Sequence, residues 1–252
     1  MTNLIRAEFR KVFTTQVWMW MLLICLALSA LGTIGSILSQ ANDVDLQIHV
    51  RDVFTAVTQT PAYVAIFVLG VLSVTTEYRY QTITPTVLAT PSRWTLISAK
   101  LISTTLLGIA YSFACVALEM AIALPWLSSR HITIDFGGHL GALLLVFVVL
   151  TLYAVVGLGA GALIKNQIVA VSVGVAFVLI IDHVIAVIPG VRHIYPYMLS
   201  GATDAITTEP GSDNRIGGVH LLSVGGGVAV LIVWGLVMAV VGAGLSMNRD
   251  IT

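Results

Sequence analysis

Asp182 and His183 stand side by side in an otherwise apolar run, and Glu119 interrupts another. An ionisable side chain in hydrocarbon is costly, so its default reading is a group that holds or moves charge. Counting 1.5 Å per helical residue from the basic ends of these runs, Glu119 lies about 27 Å along its helix and Asp182 about 21 Å along its own. Two acids at comparable depth, with an imidazole beside one, suit the wall of a substrate path or the capture of a cationic group. The plainer alternatives are that Glu119 reaches the interface beside Trp126 and that Asp182 is hydrogen-bonded between helices. A catalytic reading needs more. An intramembrane enzyme requires paired acids, a serine with its base, or H-E-x-x-H, and Asp182 with His183 is too little. No stretch matches G-x-x-x-x-G-K-S/T, so no ATPase site is expected. His49, His131, His139, His193 and His220 follow no metal-ligand spacing. Cys25 and Cys115 read as small core residues, neither an oxidised staple nor a metal pair.

The elements that must position these groups are helices in a membrane. Hydrophobic residues make up 58% of the 252-residue chain and charged residues 10%, with a mean hydropathy of +0.98. Soluble domains carry roughly a quarter charged residues. Six apolar runs, about 17–38, 54–75, 99–124, 139–164, 168–188 and 219–245, each approach the ~20 residues that cross a bilayer. They lack the alternation of strands, and a single apolar run in lipid satisfies its own backbone only as a helix. The expected fold is an all-α membrane protein, one transmembrane domain over residues 1–252. The second run is diluted at its start by Thr55, Thr58, Gln59, Thr60 and Pro61.

Lys and Arg placement sets the orientation. With six spans, Arg6, Arg10, Lys11, Arg79, Arg93, Lys100, Lys165 and Arg249 share the side of both termini, which is therefore read as cytoplasmic. Arg51, Arg130, Arg192 and Arg215 fall opposite, among most of the acids. The zero net charge hides this polarity, and nothing argues for nucleic acid as a partner. The first apolar run is longer than a signal h-region and reads as a retained helix.

Residues 3–14 form an amphipathic pattern. Ile5, Phe9, Val12 and Phe13 share one face, Arg6, Arg10 and Lys11 fall largely on the other, and Glu8 precedes Lys11 by three. A helix lying along the inner headgroup layer fits, with its basic residues toward anionic lipid. Residues 76–98 then make a cytoplasmic loop richer in order than a linker requires. Tyr78 to Ala89 can form a short helix bent near Pro85, and Thr90 with Pro91 gives a helix start. That start places Arg93, Trp94 and Lys100 as anchors on the inner end of the third span.

This loop carries Glu77, Tyr78, Arg79, Thr82, Ile83, Thr86, Leu88, Thr90, Pro91 and Arg93 at a spacing that resembles the first cytoplasmic loop of ABC-2 type transporter permeases. Those proteins are membrane subunits of bacterial exporters. The opening LIRAEFRKVFTTQVWMW resembles their amphipathic helix, GLGAGALIKNQIVAV their turn between spans four and five, and SMNRDIT their ending. The resemblance covers the whole chain. One departure is Gln81, where a glycine is common in the family, implying a stiffer loop.

The resemblance implies a multi-pass permease of the bacterial cell membrane, without its own motor. A separate P-loop ATPase subunit would bind ATP and Mg, and this chain would bind no cofactor. A second permease copy, identical or paralogous, would complete the path. The helix after Glu77 would be a coupling helix, with Glu77, Tyr78, Arg79, Thr82, Thr86 and Arg93 at the ATPase and Glu77 paired to Arg79 or Arg93 to hold the loop's shape. The substrate class would be amphipathic: a drug, antibiotic, peptide or lipid. The competing reading is a secondary transporter with Asp182 as its ion or proton site, although residues 1–125 and 126–252 do not repeat each other. A membrane assembly or sensor protein is a further class. Gly157, Gly159 and Gly161, and the stripe Gly235, Ala239 and Ala243, suit close helix packing, within one chain or between subunits. Residues 189–218 are long for a connection and suggest short helices over the outer mouth.

Overall fold

A computed structural model describes residues 2–39, 53–81, 93–130, 136–164, 166–208, 215–216 and 218–247. Helix α1 (Thr2–Thr14) is followed by α2 (Val17–Ser39), a short α3 (Ala56–Gln59), α4 (Ala62–Arg79), α5 (Arg93–Ser129) and α6 (Phe136–Leu163). Then come α7 (Gln167–Ala176), a π-helical turn (Phe177–Ile181) and α8 (Asp182–Val187). A 3-10 turn (Arg192–Tyr197), α9 (Leu199–Thr207), a two-residue hairpin pairing Arg215 with His220, and α10 (Val224–Met247) complete the order.

Six helices are long and apolar enough to cross a membrane: α2, α4, α5, α6, the combined α7–α8 and α10. They are called spans 1 to 6. The second run begins later than its composition suggests. Pro61 stands at the N-cap of α4 and separates it from α3, and α4 then continues to Arg79. Glu77, Tyr78 and Arg79 are thus helix rather than loop. Span 3 is also longer than expected, starting at Arg93 and carrying Pro125 in its last turns. Span 6 begins at Val224, because Val219 and His220 pair in the hairpin. Asn166 starts span 5 by accepting from the Ile168 and Val169 amides at 3.0 and 3.2 Å, as an N-cap residue should.

Glycine contacts give the relative directions. Gly157 and Gly161 of span 4 abut the Phe67 and Val71 carbonyls of span 2, and Gly159 abuts Met238 and Ala239 of span 6. Contacts therefore advance together, and spans 2, 4 and 6 run parallel. Trp18 and Cys25 of span 1 meet Tyr111 and Cys115 of span 3, so those two also run parallel. Gly235 meets Val155 and Ala239 is buried, so this part of the small-residue stripe serves packing within the chain. Side chains would force apart backbones that approach this closely.

Span 2 is the most enclosed helix, with Ile66 and Val71 fully buried. Tyr153, Leu150 and Leu231 join it in the main core. Leu31, Phe113, Ile168, Val233 and Val240 point outward from the other spans. Large apolar side chains facing out along helices of this length match hydrocarbon, not water, as the surrounding medium.

Candidate functional site

Glu8 is the one buried residue of α1, and it determines how that helix sits. Its neighbours on the same stripe, Ile5, Phe9 and Val12, are half-buried, while Arg6 and Arg10 face out. The inward face thus combines apolar grip with one carboxylate, and that carboxylate needs partners where it is buried.

Two lysines supply them. Lys11 Nζ donates to Glu8 Oε1 at 2.8 Å and to Glu77 Oε1 at 2.6 Å. Lys100 Nζ donates to Glu8 Oε2 at 2.7 Å and lies 3.0 Å from Glu77 Oε1. Lys100 also donates to the Ser73 carbonyl at 3.1 Å, and Thr104 donates to Ser73 Oγ at 3.2 Å. Two acids and two ammonium groups form a closed, neutral square that joins α1, the end of span 2 and the start of span 3. Burial by itself would raise the Glu8 carboxyl, but Lys100 and then Lys11 reverse this and hold it below its ordinary value. Burial would likewise lower Lys11, and the bonds to Glu77 and Glu8 turn the net shift upward. Both shifts favour the charged forms.

The expected roles of several residues change here. Glu77 is 5% exposed, and its described partners are Lys11 and Lys100 rather than Arg79. Lys100 is no interfacial anchor, because it is buried within the square. Lys11 turns toward the protein instead of wholly toward headgroups. Tyr78 packs beside Val74 and Leu158. Arg79 reaches Gln167 Oε1 at 3.4 Å and stands 5.7 Å over the Tyr80 ring. Thr82, Thr86, Thr90 and Pro91 lie outside the described residues. Arg93 heads span 3.

The intramembrane acids do not converge. Glu119 is fully buried on the face of span 3 that also carries Ala123 and Leu127, which pack with Ile37, Val53 and Phe54. It faces inward, not to the interface beside Trp126. Asp182 is fully buried elsewhere, at the point where the π-helical turn ends. Its Oδ2 accepts from the Ser200 amide at 2.6 Å, an interhelical bond to α9, and its Oδ1 has no hydrogen-bond partner among the described residues. His183 is exposed, with Nδ1 3.5 Å from Ser200 Oγ. Nearby, Tyr195 donates to Asp204 Oδ2 at 2.5 Å, and Tyr153 and Thr203 hydroxyls lie 3.2 Å apart. Burial pushes the Asp204 carboxyl upward, against the opposing effects of the Tyr195 hydrogen bond and His183. No group of three or more His, Cys, Asp or Glu among the described residues could hold a metal.

Neither a protein-family model nor a curated protein matches the chain. Its geometry and chemistry carry the functional reading. Sequence reasoning missed Glu8, Lys11 and Lys100 as one unit. A signal was present, since Glu8 falls beside Val12 within the apolar arc of α1, where an unpaired acid has no place.

Proposed function

We propose that this protein is the membrane-spanning permease subunit of an ATP-binding-cassette exporter of the ABC-2 type. It moves an amphipathic substrate outward using a separate P-loop ATPase subunit and a second permease copy, in a bacterial cell membrane. The observation that supports this most is the ionic square of Glu8, Lys11, Glu77 and Lys100. Glu77 and Lys100 are the two roots of the 80–92 loop, and both are fastened to α1. A push on that loop would move spans 2 and 3 and α1 as one body instead of bending the loop alone. Force from a soluble motor needs such a stiff root. Arg79 and Arg93 are the polar attachment points, with Thr82 and Thr86 between them and Tyr78 beside Arg79, while Glu77 acts as the fastening beneath. ATP and Mg belong to the partner.

Affinity purification from the native membrane in mild detergent, with mass spectrometry, tests this. The expected companion is a stoichiometric subunit bearing a P-loop. Arg79→Glu combined with Arg93→Glu should leave the permease inserted and strip the ATPase from it. Full co-purification of the charge-reversed chain would overturn the docking surface.

One observation favours a second reading. Asp182 is fully buried, with one carboxylate oxygen unpartnered among the described residues, as suits an ion or proton site in a secondary transporter. A chain that returns alone from purification, correctly folded, would favour that reading, with Asp182→Asn as the first variant to assay.

A further inference from the structure

Between α1, span 2, span 3 and the start of span 5 lies a half-open cavity of about 420 Å³. One end of its wall is polar, with Lys11, Thr76, Arg79 and Gln167. The rest is mostly apolar, with Val17, Trp18, Leu69, Leu72 and Leu107 interrupted by the small hydroxyls of Ser73, Ser103 and Thr104. From Arg79 back to Leu69 is ten residues of helix, about 15 Å at 1.5 Å per residue. That equals half of a ~30 Å hydrocarbon core. The cavity therefore runs from the membrane boundary to about the depth of one leaflet.

Its charge is unbalanced. Glu8 and Glu77 line the same cavity, but they are neutralised by Lys11 and Lys100. Arg79 remains. Its contacts are the long bond to Gln167 and the Tyr80 ring, and among the described residues no carboxylate neutralises it. A guanidinium offers five donors in a planar fork suited to phosphate. Lys11 Nζ has three donors, of which Glu8 and Glu77 take two.

We propose that this cavity binds an anionic phospholipid of the leaflet nearest α1. The phosphate meets Arg79 and the remaining Lys11 donor, and one acyl chain lies along Trp18, Leu69, Leu72 and Leu107. The length of the apolar wall argues for a lipid over a free anion, since a free anion would leave that wall unfilled at bilayer depth. The lipid then ties the end of span 2 to α1 and span 5 directly above the ionic square. This inference needs only a membrane-spanning chain and does not rest on the exporter reading.

The test counts lipid on the purified chain. After extensive detergent exchange, mass spectrometry should find one anionic phospholipid retained per chain. Phosphatidylglycerol should bind at least tenfold more tightly than phosphatidylcholine of the same acyl chains. Arg79→Gln should abolish that headgroup preference. Leu72→Trp, which fills the apolar part and leaves every charge in place, should reduce retention of both lipids at least tenfold. Phe113→Ala, at an outward position farther along span 3, should change nothing. No retained lipid in the unaltered chain, or retention indifferent to both cavity substitutions, would overturn the proposal. So would displacement of phosphatidylglycerol by millimolar inorganic phosphate, which would make the site one for a free anion. The count is made with and without the ATPase, so loss of the exporter reading leaves it interpretable.

Discussion

Lys100 Nζ lies 2.7 Å from Glu8 Oε2, joining residues 92 apart in the chain. Each side chain is about nine-tenths enclosed, so neither charge has water to fall back on. Removing one partner of such a buried pair costs roughly 3–5 kcal/mol, because the other charge is stranded. Lys100→Met should therefore lower thermal stability in detergent and free α1. Trypsin should then cleave faster after Arg6 and Arg10, which already face outward. Adding Glu8→Gln should recover part of the loss, since it removes the stranded charge. A single variant that melts and cleaves like the parent would show that α1 is held by its apolar face alone.

The pH dependence has two opposed components. Glu8 is depressed from its ordinary value of 4.5, so its contribution is present above that pH and disappears as pH falls through the lower folded value. Lys11 is raised from 10.5, so its contribution is complete below that pH and is lost on going more alkaline. The contributions of Glu8 and Lys11 should thus both be present between about pH 5 and 10. Asp204 behaves oppositely. Its carboxyl is raised from 3.8 by burial, so stability is lost as pH climbs from that value through the folded one. Melting curves of the parent and Asp204→Asn should diverge across that window, with the variant lacking the decline.

Period and length made the six spans readable, and the glycine spacing at Gly157, Gly159 and Gly161 marks where chain and structure agree on a close approach. Short apolar stretches were less informative. Val53 to Gln59 looks continuous with span 2 by composition, but Pro61 breaks it into α3 and α4. The ionic square was hidden because its members come from three places, positions 8 and 11, 77, and 100. A single sequence shows charges on a helix face but not which face meets which. Arg79 and Arg93 drew attention as loop partners for Glu77, whereas the acid points back into the bundle. Glu119 and Asp182 matched in calculated depth, yet depth says nothing about rotation around the bundle.

Close packing at Gly157 gives a sharp contrast. A Cβ there would lie 2.0 Å from the Phe67 carbonyl oxygen, a backbone atom that cannot swing away. At Gly141 nothing stands within 4 Å. Gly157→Ala should separate spans 2 and 4 and cost several times more than the ~1 kcal/mol typical of a point change. Gly141→Ala should be neutral or slightly stabilising, because alanine is the better helix former by about 1 kcal/mol. Equal melting of the two variants would count against this helix contact.

Cys25 and Cys115 read from the sequence as small core residues, and their sulfurs lie 3.1 Å apart as free, buried thiols of spans 1 and 3. A membrane-permeant oxidant such as a hydroperoxide, reduced to the alcohol and water as both thiols lose their protons, should join them within one chain. Maleimide labelling after denaturation should then lose two reactive thiols, and either Cys→Ser variant should retain its remaining one. Intermolecular crosslinking in place of this would contradict the contact.

Gln81 ends the helix that leads into the loop with φ of 55°, the left-handed region. A non-glycine residue costs roughly 1–2 kcal/mol there, since its Cβ crowds the backbone. Glycine meets no such clash but brings more freedom to the unfolded chain, roughly 0.5–1 kcal/mol relative to alanine. Gln81→Gly should consequently raise stability by no more than about 1 kcal/mol. Gln81→Val, with a branched Cβ, should lower it by more than that. The pair of melting temperatures decides the matter by their order. If valine proves as stable as glycine, the chain leaves span 2 by an ordinary right-handed turn, and Gln81 has no part in stiffening the loop.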